Sequence, residues 1–283
     1  MKTIVQIGLI IMCFLLFVSC NVNVEKGTKN DDKVGKCFVA EVNGNSKMCF
    51  RIIGNTNVEV YRSSPFDIPQ EKLDGYESIE YFGNAIIPET IKYDGEVYKV
   101  TKIGDYAFFC SKITSIVIPK SVISIGESSF QACNKLKKVI IPKNVKCIGQ
   151  YAFTGCTSII SIEMHEGVIN IGEFAFKYCE KLRSIVIPSS VLSLKEGVFH
   201  GCFNLNSVMI KEGVKSIEDS AFEECTSLTH ITIPRSVTKI GEDAFARCSM
   251  LTCVNIQNPE LNICFEDVFS DCDKLIQDSV VYR

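Results

Sequence analysis

Tryptophan is absent from this 283-residue chain, and histidine occurs only three times, at His165, His200 and His230. So few imidazoles leave little material for general acid–base chemistry. No motif concentrates what there is: the chain has no HExxH pair, no nucleophile elbow and no Gly-rich phosphate loop. No CxxC or local Cys/His cluster has the spacing of metal ligands. A charge excess is also missing. The formal net charge of −3 withholds the basic footprint that nucleic-acid binders carry, and acidic and basic residues are interspersed along the chain, as on a solvated outer surface. These absences argue against an enzyme, a metal or cofactor protein, and a nucleic-acid partner.

What the chain has in quantity is cysteine, 15 residues, and it is periodic. Cys110, Cys133, Cys156, Cys179, Cys202, Cys225 and Cys248 stand 23 residues apart, and Cys272 follows one residue late. Phe130, Phe153, Phe176, Phe199, Phe222 and Phe245 keep the same period, with Phe108 and Phe269 each one residue out of step. A fixed period of this length marks repeats that cannot bury an apolar face alone and must stack. Within each repeat an apolar pair spaced by two, such as Val139 and Ile141 or Ile185 and Ile187, predicts a strand with alternate side chains turned inward. Pro119, Pro142, Pro188 and Pro234 end that strand. A valine, an Ile-Gly pair and an Ala-Phe pair complete the turn, and stretches such as Glu242-Asp243-Ala244-Phe245 read as one short helical turn anchored by Phe.

Ile148-Gly149, Ala152-Phe153, Cys156, Ile159, Ile162 and Met164 show the set in one turn. It resembles the BspA-like, or Treponema-type, leucine-rich repeat, and the likeness covers residues 84–275. The resemblance implies an α/β leucine-rich-repeat solenoid, a right-handed arc with a parallel sheet on its concave side and short helical turns and loops on the convex side. It further implies a cell-surface binding protein of adhesin type and no catalytic activity. The partner expected from it is a protein or glycan, such as host extracellular matrix or another cell surface. A structural or assembly lipoprotein of the cell envelope is the alternative.

The N-terminus carries an address. Lys2 precedes an apolar run from Ile4 to Val18, too short for a comfortable permanent crossing but right for an export signal. Ser19-Cys20 at its end resembles a bacterial lipoprotein cleavage site, which makes 1–19 the signal peptide and Cys20 the lipidated residue. Phe17 stands where such sites usually have Leu, and ordinary cleavage with Cys20 incidental is the other reading. The expected location is the outer membrane or cell surface, with the lipid as the membrane contact. Residues 20–36 are polar and read as a tether. Residues 37–83 carry short strand patterns and turns at Asn43-Gly44 and Gly54-Asn55, the expected β-rich cap over the open solenoid end. Residues 276–283 close the other end.

The periodic thiols read as a buried ladder, whose parallel side chains are poorly placed to bridge. Cys37 and Cys49 could pair within the cap, while Cys147, Cys253 and Cys264 lie outside the ladder. His165 and His200 are expected at the surface. The candidate binding site is the outward strand column Ile86, Val117, Ile140, Glu163, Val186, Met209, Thr232 and Asn255, flanked by Ser115, Lys138, Ser161, Ser184, Ser207, His230 and Cys253. Of these, Val117, Lys138, Ile140, Glu163, Val186, Met209, His230 and Thr232 are the residues expected to meet a partner. An exposed apolar stripe with a polar rim usually marks an interaction surface, although β-branched residues also collect in strands for conformational reasons alone.

Overall fold

The computed structural model describes residues 33–42, 46–62 and 81–282. The export segment, Cys20 and most of the expected tether lie outside the described residues. At the N-terminal end β1 (Cys37–Val42) and β2 (Ser46–Gly54) form an antiparallel pair, β3 (Asn57–Val60) adds to β2, β4 (Phe82–Ile86) follows, and β5 (Thr90–Tyr93) and β6 (Glu96–Ile103) form a hairpin. That hairpin turns through Asp94 and Gly95, both at positive φ, as a two-residue turn matching the strand twist requires. Two strands then recur in each turn: β7 (Lys112–Val117) and β8 (Ser124–Ile125), β9 (Lys138–Ile141) and β10 (Cys147–Ile148), β11 (Ser161–Met164) and β12 (Asn170–Ile171), β13 (Ser184–Ile187) and β14 (Ser193–Leu194), β15 (Ser207–Ile210) and β16 (Ser216–Ile217), β17 (His230–Ile233) and β18 (Lys239–Ile240). The last strands are β19 (Cys253–Ile256) and β20 (Val280–Tyr282).

Strands of successive turns pair in parallel with equivalent residues opposite one another, such as Ile162 with Val139 and Val186 with Met209. The long strands make one face of a solenoid of about eight turns. The short ones make a second face, which continues from the N-terminal strands through β3, β6, β8, β10 and β12. At that junction Glu59, only 1% exposed, is held by ion pairs to Arg51 and to Lys102, the latter at 3.3 Å. Partners of opposite charge offset the cost of taking a carboxylate out of water.

The third side differs from the sequence expectation. Among the described residues, the only α-helix is α1 (Phe265–Val268), and the Ala-Phe segments are turns rather than helical. The reason lies in the backbone. Each segment begins and ends on a residue in the left-handed region: Tyr106 and Cys110, Ser128 and Ala132, Tyr151 and Gly155, Phe174 and Tyr178, Gly197 and Gly201, Ser220 and Glu224, Asp243 and Arg247. A helix cannot run through such residues. Instead, alternate N–H groups donate to the next turn: Ser128 to Gln150 at 2.9 Å, Phe130 to Ala152 at 2.8 Å and Ala132 to Thr154 at 2.8 Å, with the same triplet in the following turns.

The interior is a pair of ladders. Phe108, Phe130, Phe153, Phe176, Phe199, Phe222, Phe245 and Phe269 stack nearly parallel, with successive ring centroids 4.9 to 5.6 Å apart. Stacked aromatic pairs contribute about 0.5–1.5 kcal/mol each beyond the area they bury. Beside them the thiols of Cys133, Cys156, Cys179, Cys202, Cys225, Cys248 and Cys272 each donate to the carbonyl of the phenylalanine one turn back, at 3.0 to 3.5 Å. They are unbridged. Burial pushes the Cys202 thiol up to about 12 and raises those of Cys179 and Cys225, so they stay protonated.

Cys110 is not a rung of this ladder. It is exposed and has positive φ, in the place Ala132 takes one turn later, and Ser111 holds the rung, with Oγ 3.2 Å from the Cys133 thiol. The first turn is one residue shorter between Phe and the next apolar position, and the interval from Cys110 to Cys133 therefore matches the period by coincidence. Cys37 and Cys49 are also unbridged: Cys37 lies opposite Arg51 and Cys49 opposite Val39, two pairs out of line.

At two of the strand ends that lack proline, those at His165 and Lys211, a carboxylate ties the turns instead. Glu166 accepts hydrogen bonds from the Ser189 backbone N–H and hydroxyl at 3.0 and 2.9 Å, and Glu212 accepts from the N–H groups of Arg235 and Ser236.

Candidate functional site: the outer face of the long-strand sheet

The four-residue long strands, β9 to β19, turn their first and third residues outward and their second and fourth inward, as in β9, where Val139 and Ile141 are buried while Lys138 and Ile140 are exposed. Stacking brings the outward residues into columns. Ile86 lies beside Val117, Ile140 beside Glu163, Val186 beside Met209, and Thr232 beside Asn255. The apolar members are 42 to 58% exposed. Each side chain that this column placed outward from the sequence is at the surface except Asn255, which is half-buried and has Val281 of β20 as its neighbour.

The column is not uniform. Glu163 interrupts it and accepts an ion pair from Lys138 at 2.6 Å, reaching diagonally across adjacent turns. Both side chains are about half exposed, so water screens this pair and it adds little stability. Its effect is to divide the stripe into an apolar patch of Ile86, Val117 and Ile140 and a second of Val186 and Met209. Beyond Met209 the face turns polar, with Thr232 and His230 exposed and His230 sharing a hydrogen bond with Thr229 at 3.1 Å. His230 stands in register with the exposed Cys253.

The other histidines do not join them. His165 is exposed at a strand end. His200, expected at the surface, has a side chain only 13% exposed on the turn side, where it lies 3.0 Å from Glu223. Burial, followed by the charge of Lys177, outweighs the attraction of Glu223 and Glu224 and holds its imidazole below the usual range. Arg247 pairs with Glu223 at 2.6 Å and reaches Glu224 and Asp271 at 3.6 Å each, along an open groove that Phe203 also lines. Among the described residues, no three His, Cys, Asp or Glu side chains are placed to hold a metal ion.

One surface escaped the sequence reading. Ile123, Ile169 and Leu192 lie 42 to 56% exposed just before the short strands, in a column shared with Lys146 and Lys215. Its signal is the same 23-residue period, carried by the residue that directly follows the valine of each Val-x-x-Ile core pair.

A parallel stack of short-coil repeats with a phenylalanine spine defines the leucine-rich-repeat class of solenoid. The family model for the BspA type leucine rich repeat region matches residues 101–213 and 193–280 in six copies, and the chain belongs to that family. A leucine rich cell surface protein from Faecalibacterium prausnitzii is similar in structure, with a TM-score of 0.65 and 30% identity over 77% of this chain and 54% of that one. This chain therefore spans about half of that protein's length. A leucine-rich repeat protein from Bacteroides ovatus has a TM-score of 0.52 at 26% identity, covering 89% of this chain and 71% of its own. A leucine rich repeat protein of T. pallidum has a TM-score of 0.51 at 29% identity, covering 59% and 77%. No curated protein matches the chain. The family suggests a protein-interaction role, and its fold is one that typically carries no enzyme activity. Among the described residues, no helix is long and apolar enough to cross a membrane.

Proposed function

We propose that this chain is an exported cell-surface binding protein that engages a protein or glycan partner through the outer, concave face of its long-strand sheet. The observation that carries this reading is the pair of apolar patches, Ile86–Val117–Ile140 and Val186–Met209. Their side chains have no core to fill, and the hydroxyls of the neighbouring serine column rim them. Apolar surface kept exposed in contiguous columns is the usual mark of a contact site. Lys138, Glu163, His230 and Thr232 would set polarity and register at its margins.

The test is binding of the full chain to immobilised matrix proteins and glycan arrays, with Val186→Glu and Met209→Lys as the variants. Loss of binding with an unchanged melting temperature supports the reading; retained binding moves the site to the short-strand face, the turn side or the N-terminal strands. Anchoring through Cys20, which lies outside the described residues, is tested separately: Cys20→Ala should release the protein from membranes and abolish lipid labelling. Protease shaving of intact cells then separates a surface binder from an envelope protein whose repeats face inward, since only the former is digested.

A further inference from the structure

The fold collects charge that the sequence disperses. At the edge where the long strands begin, one column reads Thr114, Lys137, Ile160, Arg183, Asn206. Backbone N–H groups of Lys137, Ile160, Arg183 and Asn206 each donate to the preceding member, at 3.2, 2.9, 3.3 and 3.0 Å, which fixes these residues as direct neighbours. The column beside it, two residues earlier in each turn, reads Lys112, Lys135, Ser158, Lys181, then Asn204, Ser227 and Met250. Five of the eight positions in the first four turns are therefore basic, none is acidic, and no later position of either column carries charge until Lys274 in the last turn. Lys112, Lys135, Lys137, Lys181 and Arg183 are all exposed. Among the described residues, Lys135, Lys137, Lys181 and Arg183 make no ion pair, although the chain is net acidic. The half-buried Glu180, one position before Lys181, is the acidic group adjoining the strip.

We propose that this strip binds an anionic polysaccharide, one bearing sulfate or carboxylate groups along a linear chain. Turns repeat at about 4.8 Å, so these turns present cations in two adjacent columns along roughly 15 Å, with the third turn uncharged, a straight strip suited to a linear polymer charged along its length. The adjoining column of Ser161, Ser184 and Ser207, paired strand to strand, offers hydroxyls to sugar hydroxyls and ring oxygens. Single-stranded nucleic acid would need aromatic faces for its bases. The strip holds none; Phe82, at its far end, already has Lys112 Nζ over its ring at 5.6 Å. This strip does not depend on the apolar patches, and Lys138, committed to Glu163, is not one of its members.

Heparin serves as the probe. The full chain should bind immobilised heparin with an affinity that falls steeply with salt, as counterion release demands, and Lys137→Ser/Lys181→Ser/Arg183→Ser should weaken binding at least tenfold. Lys215→Ser/Arg235→Ser/Lys239→Ser, which removes as many exposed cations from later turns, and Val186→Glu in the apolar patch should leave it within twofold. Equal loss from the triple and the control variant would show only a nonspecific charge effect and overturn the proposal. So would undiminished binding by the triple variant, or tighter binding to single-stranded DNA or to phosphatidylserine vesicles than to heparin. Circular dichroism melts of the triple variant, with all substitutions at exposed positions, verify that it folds.

Discussion

The long-strand side and the turn side of each coil do the same job, joining one turn to the next by backbone hydrogen bonds, yet they place opposite demands on the sequence. On the strand side the demand is written in side chains: alternate residues are apolar, β-branched residues dominate, and extended backbone costs nothing special. On the turn side it falls on the backbone, because two residues per coil must adopt positive φ between 48 and 71° before three N–H groups can reach the next turn. Glycine fills only Gly155, Gly197 and Gly201 of those places, and tyrosine, phenylalanine, glutamate and arginine take others. Each such residue costs about 1–2 kcal/mol, against about 0.5–1.5 kcal/mol for each hydrogen bond. The bonds alone roughly offset the strain, so the balance must come from the phenylalanine and cysteine ladders that the same segments bury. The turn side is held by its core, and the strand side largely by itself.

The most forceful way to break this comparison is to remove the spine. Phe176→Ala should cost about 3–5 kcal/mol, the range for a large-to-small change at a fully buried aromatic, measured by urea denaturation. A cost near 1 kcal/mol would mean that the backbone bonds suffice and the argument from strain is wrong. Thiol labelling of the folded wild type should modify Cys37, Cys110, Cys253 and Cys264 and spare Cys156, Cys179, Cys202 and Cys225 until denaturant is added.

Next in size is a change to the backbone alone. Gly201 sits at φ +68°, and a Cβ there would collide with the Tyr178 ring. Gly201→Ala should therefore destabilise by about 1–3 kcal/mol. Ser220→Gly, at φ 53° with no steric reason for a side chain, should do the reverse and stabilise by up to about 1 kcal/mol. Opposite signs from one substitution in each of the two left-handed columns would sharpen the comparison; two losses would place Ser220 outside the left-handed region.

This difference between the sides also explains what could be read in advance. The 23-residue period and the Phe, Leu and Val-x-x-Ile columns follow side-chain burial, and burial is what a sequence displays. The solenoid, its parallel strands and the outward strand column were therefore legible. Backbone conformation was not, since Tyr151, Phe174 and Glu224 give no hint of positive φ, and the apolar spacing of the Ala-Phe segments fits a helical turn equally well. Cys110 misled for a related reason: a one-residue deletion in the first turn left an unrelated cysteine at the right interval. The basic strip was hidden by order, because Lys112, Lys135, Lys137, Lys181 and Arg183 are spread over four repeats among acidic residues that fold onto other faces.

The smallest effect expected is a pH dependence on the turn side. His200 is neutral more readily in the folded protein than in the unfolded chain, since burial and Lys177 hold its imidazole below the usual value of 6.5. Between those two values the unfolded chain binds the additional proton, so protonation favours unfolding. The contribution is intact above the unfolded value and is lost as pH falls through the folded one. Glu127 and Glu196, both raised by burial, act in the opposite sense as carboxyls and partly mask it in the wild type. The comparison must therefore be between proteins: the stability difference between wild type and His200→Gln, measured by denaturant midpoints at pH 7 and pH 5, should shift towards the variant at the lower pH. A difference independent of pH would mean that Glu223 and Glu224, 3.0 and 3.9 Å from the ring nitrogens, balance the burial, and a shift towards the wild type at pH 5 would mean that they overcome it.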